Sequence, residues 1–228
     1  MMEGGEWWRI ITSMFLHIGV LHLALNMLAL YFVGTLVERI YGNTRFLLIY
    51  FLAGIAGGIA SFALNPSIAA GASGALFGLF GALLFFGIKF PKVFFKTMGT
   101  NVIFVVILNI VFGFAVQQVD NAAHIGGLIG GFIASWMVMF PKNNVYIQQL
   151  IALAVYAFCI FSMLTYGISN DEVQFNERMQ IQRIQDLLQE EKYEKVIDIS
   201  DQTLPFANDF LQNIILSLTC QCPFRIIR

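Results

Sequence analysis

The sequence has little charge. Only 12% of its 228 residues are Asp, Glu, Lys or Arg, whereas 58% are hydrophobic. A soluble domain of this size with so few charged residues would have too little polar surface to face water. The composition therefore indicates a membrane-embedded protein. The acidic residues are also segregated, since ten of the fourteen follow Gly167. The sequence has no basic cluster of the kind that binds nucleic acid, so no nucleic-acid partner is expected.

Cysteine is scarce as well. The chain has three, namely Cys159 within an apolar stretch and the near neighbours Cys220 and Cys222. This number does not make a disulfide framework, and one close pair without a second does not make a zinc site. The cysteines therefore say little about function.

Six apolar stretches approach the length of about twenty residues that crosses a hydrocarbon core of about 30 Å. Short connectors separate them. They predict an all-α, polytopic transmembrane helical bundle with six spans, followed by a short helical soluble tail. The stretches are 21–40, 46–64, 73–88, 98–116, 122–140 and 147–168.

The basic residues in the connectors predict the orientation of these spans. If each stretch crosses once, most basic residues of the bundle share one side, which should be the cytoplasm. They are Arg39, Arg45, Lys89, Lys92, Lys96 and Lys142. The chain would then enter its first span from outside, where nothing upstream carries the amino terminus across. We therefore expect a further helix to precede this chain in the full gene product, and the polar tail to lie outside.

The tail carries a different pattern. Residues 175–188 and 193–204 have apolar residues at helical spacing with charges between them, which predicts two amphipathic helices. The stretch 187–204 resembles a tetratricopeptide helix pair, with Tyr193, Val196 and Leu204 in packing positions. One such repeat cannot bury its own face. The tail is thus either a cut array or a short helical appendage, and it is a candidate site for a protein partner.

The three histidines, His17, His22 and His124, all lie near the predicted outer ends of spans. Ionisable groups inside a membrane are costly and usually face a cavity or one another. The third stretch opens with GASG at 71–74, which places Ser73 at a helix start beside free backbone N–H groups. An oxyanion could bind there. A GxSG motif alone is a weak signal and needs context.

That context comes from the topology. The third and fifth stretches run in the same direction, so Ser73 and His124 should begin their helices at the same side of the membrane. Both helices carry small residues at a spacing that lets backbones approach closely. These are Gly74 and Gly78 on one helix, and Ala123, Gly127 and Gly131 on the other. Packing of these stripes would bring Ser73 within reach of His124.

The first stretch adds His22 and Asn26, which lie four residues apart on one helical face. Both side chains can donate hydrogen bonds to a developing negative charge. Each could instead satisfy an interhelical contact. Three histidines could also ligate zinc, but the HExxH pair is missing and no carboxylate accompanies them. A channel or small transporter would need polar groups on the cytoplasmic half too, where they are sparse.

Taken in order, these motifs resemble those of the rhomboid family of intramembrane serine proteases, from residue 8 to about residue 140. Trp8 and Arg9 resemble the Trp-Arg pair in the loop after the family's first helix. His17, His22 and Asn26 reproduce the HxxxxHxxxN pattern of its second helix. GASG resembles the nucleophile motif, and AHIGG at 123–127 the motif of the catalytic histidine. Glu38 and Arg39, with Gly42, resemble the structural turn at the cytoplasmic end of the second helix.

The resemblance implies a mechanism. Ser73 would be the nucleophile and His124 the general base, with no Asp to orient it. The backbone amide of Ser73 and the side chains of His22 and Asn26 would form the oxyanion hole. Phe77 stands where many relatives have a Tyr stacked on the catalytic His. Gly71, Gly74 and Gly127 would support the site, while Trp8, Arg9, His17, Glu38 and Arg39 would be structural. No metal or organic cofactor is implied.

The resemblance also implies a domain layout and a setting. Residues 1–20 would be a remnant of the extracytoplasmic loop, 21–140 a core of five spans, 141–168 an added helix, and 169–228 an extracytoplasmic tail. The substrates would be transmembrane proteins in the lipid bilayer, cleaved at the outer side of a bacterial plasma membrane. Without the family's first helix, we expect the chain as it stands to be destabilised or inactive. The alternative is a non-proteolytic rhomboid-like protein that binds or escorts transmembrane clients.

Overall fold

A computed structural model describes residues 7–65, 71–116, 119–138, 146–169, 177–204 and 209–220. Every regular element in these ranges is a helix. The chain divides into two compact units, Met1–Ser169 and Asn170–Arg228. Lys142 and the ends of two predicted helices, 139–140 and 175–176, lie outside the described residues.

The first unit contains eight helices in its described part, and a short 3-10 turn follows the first of them. A π-helical segment, Leu30–Gly34, lies within the second. The helices are α1 (Arg9–Thr12), α2 (Val20–Tyr41), α3 (Asn43–Leu64), α4 (Ser73–Lys89), α5 (Pro91–Thr97), α6 (Gly99–Ala115), α7 (Asn121–Val138) and α8 (Tyr146–Ser169).

Particular residues set the breaks between these helices. Gly42 has φ +83° and ψ 158°, a conformation open essentially to glycine alone, and it separates α2 from α3. Pro91 begins α5, where its missing N–H leaves no partner unsatisfied. The axes of α5 and α6 are bent by 74°. The sequence predicted only the second helix of this pair, because α5 is too short to form a span by itself.

Four helices are long and apolar enough to cross a membrane, namely α2, α3, α7 and α8, and a fifth span results if α5 and α6 are taken together. The predicted count of six is therefore not confirmed. The predicted span that is missing from this count is α4, whose 17 residues extend about 25 Å at 1.5 Å per residue. That length is shorter than a typical hydrocarbon core.

The centre of the bundle is α7, which packs against both α3 and α4. Small residues allow this close approach. A Cβ on Gly57 of α3 would lie 2.7 Å from the Ala123 carbonyl oxygen of α7, and one on Gly74 of α4 would lie 3.2 Å from the same atom. By contrast, many large apolar side chains of α2, α6 and α8 face outward, as expected of helices that face lipid.

Contacts along the helices fix their directions. At one end of α7, Ser61 near the end of α3 bonds to Asp120, and at the other end Arg45 near the start of α3 bonds to the Val138 carbonyl. These two helices are therefore antiparallel. Gly74 of α4 meets Ala123, whereas Gly78 meets Gly127 further along. Hence α4 and α7 are parallel and begin at the same end of the bundle, as the sequence predicted.

The second unit contains α9 (Glu177–Gln189), α10 (Tyr193–Thr203) and α11 (Asp209–Thr219). Its core includes Val196 of α10, with Tyr193 and Leu204 packed beside it. These three residues lie in packing positions, as predicted. The sequence predicted two helices here, and the structure has a third, α11. Its Ile215 is fully buried in the same core, so part of the amphipathic surface predicted for the tail is covered by α11.

Candidate active site

Ser73 and His124 are brought together at the shared starting end of α4 and α7. Ser73 is the first residue of α4, and His124 lies in the first turn of α7. The Ser73 Oγ and the His124 Nε2 are 2.9 Å apart, a normal hydrogen-bond distance. His124 is buried and Ser73 is half-buried. The pair can therefore exchange a proton directly while the hydroxyl remains accessible.

Phe77 holds the imidazole of His124. The two rings stack with centroids 4.1 Å apart and planes inclined by 10°. The other ring nitrogen, Nδ1, is buried and has no hydrogen-bond partner among the described residues. If Nε2 accepts the proton of Ser73, the proton of the neutral ring must reside on Nδ1. The ring is thus oriented by packing, and no carboxylate in the described residues bonds to it.

His22 lies against the loop that precedes Ser73. The backbone N–H of Ile18 donates to His22 Nδ1 over 3.3 Å, so a neutral ring carries its proton on Nε2 and presents that atom as a donor. A Cβ on Gly71 would lie 3.0 Å from His22 Nε2 and 2.8 Å from Cε1. The donor nitrogen therefore faces the chain two residues before Ser73.

Asn26 lies one turn further along α2 and is buried. Its Nδ2 donates to the backbone carbonyl of His22 over 2.9 Å, which uses one of its two protons. This bond holds the side chain within its own helix and leaves the second proton for another acceptor. The structure therefore brings His22 to the GASG loop and places Asn26 one turn away, with a proton still to donate.

The other predicted residues lie around this site or away from it. The His17 ring contacts that of His22 edge-on, with centroids 5.2 Å apart. Trp8 and Arg9 are exposed at the start of α1. Glu38 and Arg39 lie near the far end of α2, where the Glu38 carbonyl accepts from Gly42 N–H. In the ranges that the structure describes, no three His, Cys, Asp or Glu residues are placed to hold a metal ion.

Asp120 also belongs to the site, although it is part of none of the motifs described above. Its Oδ1 accepts the backbone N–H of Ala123 over 2.9 Å, which makes it the N-cap of α7. Its Oδ2 accepts the hydroxyl of Ser61 from α3. An Asp immediately before an apolar helix is a recognisable capping signal, so the cap could have been found from sequence. The partner on α3 could not.

A cavity of about 30 Å³ adjoins Ser73, and its lining includes Ser13 and Asp120. Glycines form much of the remaining wall, among them Gly71 and Gly58. A cavity of this size, with hydroxyl and carboxylate groups in its wall, has room for about one water molecule. The site therefore combines a hydroxyl, an imidazole, a donor nitrogen and room for water.

Most of the chain is similar to known proteins. Residues 4–141 match the model of the Rhomboid domain. The chain is 49% identical over 195 residues to the rhomboid protease GluP of Bacillus subtilis. The aligned region covers 86% of this chain and 38% of GluP. YdcA of the same bacterium is 35% identical over 147 residues, or 64% of this chain and 74% of YdcA. RHOMBOID-like protein 6, mitochondrial, of Arabidopsis thaliana is 37% identical over 146 residues, or 63% of this chain and 47% of that protein. The chain thus spans about two fifths of the length of GluP.

Proposed function

Because the chain belongs to the rhomboid family, we propose that it is an intramembrane serine endopeptidase in which Ser73 and His124 form the catalytic dyad. The observation that carries the proposal is the 2.9 Å contact between Ser73 Oγ and His124 Nε2. The stacked Phe77 ring and the donor nitrogen of His22 support it.

In the proposed mechanism, Ser73 Oγ attacks the scissile carbonyl of the substrate while His124 Nε2 takes its proton. The carbonyl oxygen becomes an oxyanion, which accepts hydrogen bonds from the Ser73 backbone N–H, His22 and Asn26. His124 then protonates the leaving amine, and the acyl group stays on Ser73 as an ester. Water, for which the cavity beside Ser73 has room, attacks the ester and restores the enzyme.

The dyad has a physical reason. A carboxylate bonded to the buried Nδ1 of His124, as in a triad, would orient the base but would itself be buried inside the membrane, which is costly. Stacking on Phe77 and the close packing of α7 take over this task. The Phe77 ring supplies an aromatic face without a hydroxyl that would need a partner.

The setting of the reaction follows from the topology. We infer that α4 also crosses the bilayer, giving six spans, with its short length placing Ser73 below the outer surface. The connector charges favour a site that opens to the extracytoplasmic side of a bacterial plasma membrane. The substrates would be transmembrane proteins with a locally unwound segment that can reach Ser73. The tail, as a tetratricopeptide-like appendage, would bind a protein partner on that side.

A fluorophosphonate tests the proposal because it reacts with activated serine hydroxyls. We expect the protein, expressed from its full open reading frame and reconstituted in liposomes, to be labelled covalently. Labelling should disappear in Ser73→Ala and after heat denaturation, and should fall steeply in His124→Ala. Equal labelling of Ser73→Ala and wild type would overturn the proposal. A protein that only escorts clients would not be labelled at all.

Gly71→Ala should lower kcat about 10- to 100-fold, since it disturbs an oxyanion donor. The new methyl group would lie 2.8 Å from the His22 ring and push it away, and the φ of +121° would strain any side-chain-bearing residue. The measurement is the steady-state cleavage of a transmembrane substrate, together with thermal unfolding.

Gly42→Ala is the matched control for this change. Gly42 has a φ of +83°, but nothing lies within 4 Å of a Cβ there. We expect this variant to lose stability, about 1–3 kcal/mol from backbone strain, while kcat changes little. Should both variants lose kcat alike, the His22 contact would not be the cause.

A further inference from the structure

The helix that carries His124 is tied to α3 at both ends. At its last turn, Arg45 Nε donates to the Val138 carbonyl over 3.0 Å. At its first turn, the Ser61 hydroxyl donates to Asp120 Oδ2. The contact between Ser61 and Asp120 lies one helical turn before His124. The backbone N–H of His124 donates to the Asp120 carbonyl over 3.1 Å. Any shift of this turn moves the imidazole.

Asp120 makes two different contacts with its two carboxylate oxygens. Oδ1 caps the backbone N–H of Ala123, the residue next to His124, over 2.9 Å. Oδ2 accepts from Ser61, which is 2% exposed and belongs to another helix. A carboxylate at a helix start also interacts favourably with the helix dipole, and hydrogen bonds to a charged acceptor are short and strong. Asp120 thus fixes the helix start both along α7 and against α3.

We propose that Asp120, through Ser61, is a positioning residue that sets the place of His124 Nε2 relative to Ser73 Oγ. The inference rests on the proposed function. In a Ser-His-Asp triad, the base is oriented by a carboxylate bonded to Nδ1. Here Nδ1 of His124 has no partner among the described residues. The ring position therefore depends on Phe77 stacking and on the backbone of the first turn, which Asp120 holds.

Because of the packing of Ala123, a small shift of the first turn of α7 changes the distance from Ser73 Oγ to His124 Nε2. The Ala123 carbonyl oxygen is wedged between the backbones of Gly57 on α3 and Gly74 on α4. Gly74 follows the nucleophile directly. A turn released from the Asp120 cap would carry Ala123 away from both glycines and lengthen the distance from Ser73 Oγ to His124 Nε2. A misplacement of about 1 Å costs about 100-fold in rate.

The test compares four variants of the full-length protein in liposomes, by steady-state cleavage of a transmembrane substrate. Asp120→Ala should lower kcat about 10- to 100-fold with little change in KM, because the substrate still binds. Asp120→Asn should largely rescue kcat. Its amide oxygen can accept from Ala123 N–H, while its NH2 donates to the Ser61 hydroxyl. Ser61→Ala should lower kcat less than Asp120→Ala, and the double variant Ser61→Ala/Asp120→Ala should be no worse than Asp120→Ala alone.

Arg45→Met is the control for general destabilisation. It removes the tie at the far end of α7 and should lower the unfolding temperature while leaving kcat near that of wild type. If Asp120→Ala fails to fold, Ser61→Ala decides the question, because it cuts the tie to α3 and keeps the cap.

Several outcomes would overturn the inference. The first is an unchanged kcat in Asp120→Ala, or in Ser61→Ala if Asp120→Ala does not fold. The second is a kcat in Asp120→Asn that is as low as in Asp120→Ala. The third is a loss of kcat in Arg45→Met equal to that in Asp120→Ala. Ser73→Ala in the same assay separates the two proposals. If it still cleaves, the proposed function fails, whereas a dead Ser73→Ala with a fully active Asp120→Ala refutes only the positioning role.

Discussion

Replacing Ser73 by alanine should abolish cleavage of a transmembrane substrate, with kcat falling at least about 10⁴-fold. The substitution removes the only atom that can form the acyl bond in the proposed mechanism. His124→Ala should have a comparable effect, because the hydroxyl of Ser73 is a weak nucleophile until its proton is accepted at Nε2, 2.9 Å away. The two residues act as a unit, so the double variant should be no slower than either single one. Product formation from a labelled substrate in liposomes measures the effect.

Ser135→Ala is the matched control for this pair. Ser135 is a buried serine on α7, the helix of His124, and its hydroxyl donates to the Gly131 carbonyl of the same helix over 2.7 Å. The substitution is chemically identical to Ser73→Ala, yet it leaves the dyad untouched. We expect kcat within about threefold of wild type, since the hydrogen bonds of Ser135 to Gly131 and Tyr41 each contribute little net free energy and lie three turns beyond His124. If Ser73→Ala cleaved the substrate as fast as Ser135→Ala does, the proposed dyad would be wrong.

The spans could be predicted from sequence because bilayer thickness constrains their length directly. The predicted stretch 46–64 became Asn43–Leu64, and 147–168 became Tyr146–Ser169. The count of spans was less predictable, since α4 has only 17 residues and length alone does not show whether such a helix crosses. The π-helical segment Leu30–Gly34 could not be predicted from the apolar pattern either.

The meeting of Ser73 and His124 could be predicted because both residues open helices that run the same way and carry small-residue stripes. The tie between Ser61 and Asp120 could not. These residues are 59 positions apart, and only the packing of α3 against α7 brings them together. A serine near the end of an apolar helix is compatible with many neighbours, so its partner is a property of the folded bundle. The helical pattern predicted for the tail ended at residue 204, so the third tail helix, Asp209–Thr219, was not predicted.

Gly127→Ala should lower both the stability and the activity of the bundle, although alanine favours an isolated helix over glycine by about 1 kcal/mol. A Cβ at this position would collide with the backbone of Gly74, whose carbonyl oxygen, carbonyl carbon and Cα all lie in its path. Backbone atoms cannot rotate away, so α4 and α7 must separate. We expect a loss of about 1–3 kcal/mol from overpacking. Thermal unfolding in detergent measures it.

The same separation should reach the dyad, because Gly74 follows Ser73 and Gly127 lies one turn after His124. A displacement of about 1 Å lowers kcat about 100-fold. Ile129→Ala is the control, since it also leaves an alanine on α7, but at a side chain that is 52% exposed on the outer face of the bundle. It should retain kcat. If Gly127→Ala cleaves as fast as Ile129→Ala, the close contact of α4 with α7 does not set the distance from Ser73 Oγ to His124 Nε2.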